Sequence, residues 1–138
     1  MPLSPEFRLR VMARAEDIDE LKHVSNLVYV RWILDAAMSH SRAAGWDFEH
    51  YRALGAVFVV RRHEVDYIAQ VTAGQTLVAT TWVDSWRPAS CIRHTELVRD
   101  GKIVARGATT WALMSLASGR PVRIPDHLVT AFTAAPTA

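Results

Sequence analysis

One cysteine, Cys91, is all the thiol in 138 residues, so the chain can close no internal disulfide. Its first residues have neither the positive start nor the apolar run of a secretory signal peptide, and the two absences together predict a reducing, cytoplasmic setting. Long hydrophobic runs are missing too. The most apolar stretch, Leu27 to Met38, has ten apolar residues in twelve and is interrupted by Arg31 and Asp35, whereas a membrane span needs about 20. No block of like charge occurs. The net charge is +2 with a pI near 9.0, and the basic residues are scattered singly or as the pair Arg61-Arg62, without zinc-finger spacing or a basic helix, so nucleic acid is not an expected partner. There is no Gly-x-Ser-x-Gly elbow, glycine-rich phosphate loop or dinucleotide fingerprint. His23, His40, His50, His63, His94 and His127 show no ligand spacing with one another or with Cys91, so no metal is expected. Asp17-x-Asp19 fails as the opening of a calcium loop, because Leu21, Lys22 and Val28 stand where an oxygen ligand, glycine and glutamate are needed.

What is present fits one domain over 1–138: half the residues are hydrophobic and 22% are charged, a length and balance that support a core without metal or disulfide clips. Phe7 to Arg14 alternates Phe7, Leu9, Val11 and Ala13 with polar or long side chains, the period of a strand with one buried face. A polar loop, Ala15 to Ser25, leads into a helix from Asn26 or Leu27 to a stop at Gly45, with Ser25 or Asn26 as N-cap. Its first three turns are apolar nearly all round, so the helix is expected to be enclosed. Strands follow at Val57–Tyr67, Gln75–Trp86, Ser90–Arg99 and Lys102–Leu116, with Asp100-Gly101 as a hairpin turn and Gly107 as a bend or bulge. Asp126 is placed to cap a short final helix, and 134–138 reads as a frayed tail. The class is α+β, a mostly antiparallel sheet wrapped around one long central helix.

The chemistry-bearing run is Asp17-Ile18-Asp19-Glu20-Leu21-Lys22-His23-Val24-Ser25-Asn26-Leu27-Val28-Tyr29, at the entrance to that helix. Unpaired amides of a helix start carry the positive end of the macrodipole and suit a developing oxyanion. A carboxylate just upstream can serve as general base or nucleophile. This run resembles the Asp-x-Asp-x-x-Gly-His-Val-Asn-Asn-x-x-Tyr signature of hotdog-fold acyl-CoA thioesterases of the 4-hydroxybenzoyl-CoA thioesterase branch. The resemblance extends over about 7–127, through Tyr29-Val30-Arg31-Trp32, Glu64-Val65-Asp66-Tyr67, Gly74, Asp100-Gly101, Trp111 and Gly119-Arg120-Pro121-Val122-Arg123-Ile124-Pro125.

The resemblance implies a hotdog fold and hydrolysis of an acyl-CoA thioester without a cofactor beyond the coenzyme A of the substrate. It places the catalytic aspartate on Asp19, the activating histidine on His23, and the carbonyl-polarising amide near Asn26. Tyr29 is expected to line the pocket and Asp17 to be structural. Arg61, Arg62, Arg120 and Arg123 are candidates, as a group, for the phosphates of coenzyme A. Three positions depart from the family: Lys22 replaces a glycine, Ser25 an asparagine, and Leu34 an acidic residue common in relatives. These departures keep a second reading open, a non-catalytic hotdog protein that binds an acyl ligand or a partner; a hotdog dehydratase is a third. A sheet with apolar residues on both faces and an open edge predicts a homodimer or a tetramer made from two dimers, in which Asp19 of one chain meets strand residues Val65, Asp66 and Tyr67 of the other.

Overall fold

Residues 4–134 are described by the computed structural model of the chain; apart from Ala134, the tail expected at 134–138 lies outside the described residues. Five strands make one antiparallel sheet in the order β1-β3-β4-β5-β2, with β1 at Phe7–Met12, β2 at Ala56–Tyr67, β3 at Thr76–Asp84, β4 at Ser90–Arg99 and β5 at Lys102–Ser115. Helix α1, Asn26–Ala43, packs on one face of the sheet, and the shorter α2, Phe48–Leu54, and α3, Asp126–Thr133, lie near its C-terminal end. This is the arrangement that the hotdog resemblance implies.

Alternation along the strands decides which side chains meet α1. Leu77, Ala79, Thr81 and Val83 of β3 are buried while Val78 and Trp82 are half-buried on the other face. Their neighbours on β4, namely Leu97, Thr95 and Arg93, continue the buried face in register. On α1 the buried residues Val28, Tyr29, Trp32, Ile33, Ala36, Ala37 and His40 recur at helical spacing along one side. The expectation of a fully enclosed helix is not met within one chain, because the sheet reaches only that side. Leu27 and Met38, on the outer flank, stay exposed.

Two further expectations are corrected. Gly107 is not a bulge: it stays in register opposite Val65 and Thr95, and the irregularities fall at Val60/Arg62 and Leu97/Val98. The glycine allows close approach instead, since a Cβ there would sit 2.8 Å from Cδ1 of Ile33 on α1. At the final helix, Pro125 holds the cap position without a side-chain bond, and Asp126 is the first helical residue. The hairpin expected at Asp100-Gly101 is present, both residues at positive φ (52° and 77°), as a type I′ turn requires.

Helix α2 lies in a segment where the sequence reading assigns no element. Its signals are local: the Asp47 carboxylate accepts the His50 amide at 3.0 Å, and Gly55 ends it at φ 82°. Near α2 and α3 the core is Ala56, Val83, Trp86, Cys91, Leu113 and Phe132 with their neighbours, separate from the cluster under the first turns of α1.

Candidate active site

The two aspartates of the motif go opposite ways. An isolated antiparallel bridge between Ile18 and Val24 closes the loop ahead of α1; Asp17 ends the short 3-10 turn Ala15–Asp17 before it, and Asp19 opens the turn after it. Asp17 is buried, 3% exposed, with its carboxylate accepting from the Arg14 amide at 2.9 Å and from Arg31 Nη2 at 3.1 Å. Its carbonyl accepts the Ser25 amide at 2.9 Å. It ties the loop to the helix. Asp19 is exposed, and its carboxylate accepts the Leu21 amide at 2.9 Å. The Asp19 amide donates to the His23 carbonyl at 2.9 Å and the Lys22 amide to the Asp19 carbonyl at 3.1 Å, so the turn is cross-braced on both sides. Lys22 sits at φ 67°, the left-handed conformation that glycine adopts freely. The chain keeps the turn that the family builds with glycine and accepts the strain.

Ser25, not Asn26, is the N-cap, its Oγ accepting the Leu27 amide at 3.3 Å. The Val28 amide bonds the Ser25 carbonyl at 2.9 Å. Among the described residues the Asn26 amide has no hydrogen-bond partner, and Asn26 is exposed. An exposed carboxylate and a free helix-start amide thus occupy one short, braced segment.

The other expected residues divide. Tyr29 is buried in the core beneath this segment, its hydroxyl donating to the Ala69 carbonyl at 3.2 Å, with burial raising its pKa; it lines neither the depression beside Asp66 nor the cavity under the C-terminal half of α1. Tyr67 is brought to the helix start within the same chain: its hydroxyl donates to the Asn26 carbonyl at 3.2 Å, and its ring meets that of Tyr29 edge-on at 5.3 Å. Val65 shares the helix-facing side of β2 with Tyr67, opposite Gly107. Asp66 leaves from the opposite face, where it lines a depression of about 330 Å³ with Glu64, Trp82, His94, Glu96 and Arg106. Arg61 and Arg62 are exposed at the irregularity in β2, Arg62 paired with Glu64 at 2.6 Å. Arg120 and Arg123 are exposed on the segment that returns along the end of β5. Among the described residues no three His, Cys, Asp or Glu side chains group as a metal site.

A second cavity, about 410 Å³, opens under the C-terminal half of α1. Its walls include Ala37, Met38, Phe58, Val83 and Phe132, with Ser41, Tyr51, Trp86, Cys91, Arg93 and Trp111 supplying the polar atoms. Burial pushes the Cys91 thiol up to about 12 and leaves it inert. Arg93 donates through Nη1 to His40 Nδ1 at 2.9 Å and to Thr81 Oγ1 at 3.1 Å. Burial first, and the guanidinium second, push His40 down to about 4, so the ring is neutral and accepts through Nδ1.

A family model described as the thioesterase-like superfamily matches residues 13–132. The chain belongs to that superfamily. No curated protein matches it. Among solved structures it is similar to a DHNA-CoA thioesterase from Staphylococcus aureus, at 17% identity and a TM-score of 0.80, with 86% of this chain and 80% of that one covered. A 1,4-dihydroxy-2-naphthoyl-CoA thioesterase from Synechocystis superposes with a TM-score of 0.85 at 14% identity, over 93% of this chain and 96% of the other. A Staphylococcus aureus protein solved in complex with CoA gives 0.87 at 13% identity, over 98% and 90%. At such identities the likeness carries the hotdog fold.

Within this thioesterase-like chain, the residue that sequence reading passed over is Arg93. It shares the buried phase of β4 with Cys91, Thr95 and Leu97. An arginine on the inward phase of a strand was the available signal.

Proposed function

We propose that the protein is an acyl-CoA thioester hydrolase, producing a carboxylic acid and free coenzyme A, with Asp19 as general base towards water or as nucleophile and the Asn26 amide polarising the thioester carbonyl. The observation that carries this reading is the presence, in one short segment that matches the family motif, of an exposed Asp19 carboxylate and a helix-start amide without a hydrogen-bond partner among the described residues. His23 and Tyr67 flank the same segment. The chemistry needs no cofactor beyond the coenzyme A of the substrate, whose phosphates Arg61, Arg62, Arg120 and Arg123 are available to meet. A cytoplasmic setting agrees with an unpaired, buried Cys91, and no described helix is long and apolar enough to cross a membrane.

The working form in this proposal is a two-fold dimer built on β2. That strand is the twelve-residue edge of the sheet, and Val60, Tyr67, Ile68, Leu27 and Met38 are exposed along it or on the bare flank of α1. Antiparallel pairing of β2 with its copy sets the start of one strand beside the end of the other. The start carries Val57 and Phe58, which line the 410 Å³ cavity; the end carries Tyr67, bonded to Asn26. Within one chain the two parts lie far apart, since Ala37 and Ser41 follow Asn26 by roughly 16–22 Å of helix at about 1.5 Å per residue. Pairing brings the Asp19 loop of one chain to the cavity of the other.

The test is release of free thiol from a panel of acyl-CoA thioesters. Turnover is expected from the wild-type protein and should fall by about 10²–10⁴ in Asp19→Asn. Tight binding with no turnover of any thioester would favour the non-catalytic reading instead.

A further inference from the structure

The 410 Å³ cavity contains a guanidinium without an anion. Arg93 is 4% exposed, and among the described residues no carboxylate lies within ion-pair distance of it. Only Nη1 has partners, neutral His40 and Thr81, while Phe132 lies under the group with its centroid 5.8 Å from Cζ. Among the described residues Nη2 and Nε have no hydrogen-bond partner. The indole N–H groups of Trp86 and Trp111, two residues of the cavity wall, are also buried without a hydrogen-bond partner. Orphaned donors inside a fold are rare and costly, and an unpaired buried charge more so. Asp47, the one carboxylate in the lining, stands half-exposed and is already held by the His50 ring at 2.6 Å.

We infer that this cavity takes an acyl group whose far end carries a carboxylate, bound by Arg93. The apolar walls of Ala37, Met38, Phe58 and Val83 hold the methylenes between that carboxylate and the thioester. A guanidinium offers two parallel N–H groups that match a carboxylate edge. The substrate class is then the mono-CoA thioester of a dicarboxylic acid. This inference rests on the thioesterase reading for its chemistry and on the cavity alone for its ligand.

The test compares dicarboxylyl mono-CoA thioesters of about four to eight carbons, the span a cavity of small-ligand size accommodates, with monocarboxylic acyl-CoAs of the same length. The carboxylate-tailed thioesters are expected to have the higher kcat/KM by about 10- to 100-fold, the usual worth of a charge-assisted hydrogen bond. Arg93→Met should abolish that preference, lowering kcat/KM for the carboxylate-tailed series by about 10- to 100-fold more than for the apolar series, and Arg93→Lys should recover part of it. Equal treatment of the two series by the wild-type protein, a preference for 4-hydroxybenzoyl-CoA over every dicarboxylyl thioester, or parallel loss of both activities in a folded Arg93→Met would overturn the assignment. A second measurement needs neither turnover nor a variant. Free adipate should raise the melting temperature of the wild-type protein where hexanoate at the same concentration does not. If adipate stabilises and no thioester is cleaved, the subsite stands and the hydrolase reading falls; if thioesters are cleaved and adipate has no effect, the reverse holds.

Discussion

Asp17 and Asp19 are two residues apart and chemically identical, yet Asp17 is buried against the Arg14 amide and the Arg31 guanidinium while Asp19 stands on an exposed turn. Their variants should separate in the same way. Asp17→Asn removes the charge facing Arg31 from a buried position and is expected to destabilise the protein by about 1–3 kcal/mol, while keeping kcat within about tenfold of wild type. Asp19→Asn, on an exposed turn, should lose turnover and leave the melting temperature in place; thermal unfolding run beside the thiol assay checks both. Lys22 offers a stability test at the same site. Lys22→Gly relieves a left-handed backbone that costs an L-residue roughly 1–2 kcal/mol, offset in part by the freer unfolded chain, so a gain of about 0.5–1 kcal/mol is expected. His40 adds a pH dependence. The unfolded chain takes up a proton there near 6.5, whereas the folded chain resists until about 4, so stability falls as pH drops through that window and levels off below it. The slope is bounded at about 1.4 kcal/mol per pH unit, and His40→Gln should flatten it in acid denaturation curves.

At the scale of elements, Gly107 shows why a residue type visible in sequence can be assigned the wrong reason. A glycine inside a long strand reads as a bulge, yet the register passes through it, and what it accommodates is Ile33 on a helix 74 residues earlier in the chain. Gly107→Ala is therefore expected to cost about 1–3 kcal/mol by overpacking. Ile33→Val, which removes the offending methyl, should recover part of that in the double variant; a cost unchanged by Ile33→Val would show that the strain lies elsewhere. The strands and α1 were legible because two periods, two and 3.6, run through them with caps at Ser25 and turns at Asp100-Gly101. Helix α2 was not, since seven residues are too few for a period to register. Arg93 was hidden for a related reason: its position on the buried phase of β4 can be read locally, but the absence of an anion depends on α1, α3 and β3 closing over it. In the motif loop the structural weight of Asp17 was legible, whereas Tyr29, expected to line the pocket, is buried in the core beneath the loop.

The whole molecule, as one chain, keeps the proposed reaction site and the proposed acyl cavity at opposite ends of α1. Asp19 precedes the helix and Asn26 is its first residue, while the cavity with Arg93 lies under its second half. A hydrolase needs them together, and the exposed β2 edge is where a second copy would supply the missing half to each. Subunit complementation tests this most directly. Asp19→Asn removes the carboxylate, and Ala37→Phe fills the cavity, so each homodimer should be inactive although folded and dimeric by light scattering. Mixed and allowed to exchange, half of the dimers become heterodimers in which Asp19 of the cavity-filled chain faces the open cavity of the Asp19→Asn chain. Activity is then expected to return to about one quarter of wild type, one working site in each heterodimer. No recovery, with heterodimers demonstrably formed, would contradict a site shared between chains.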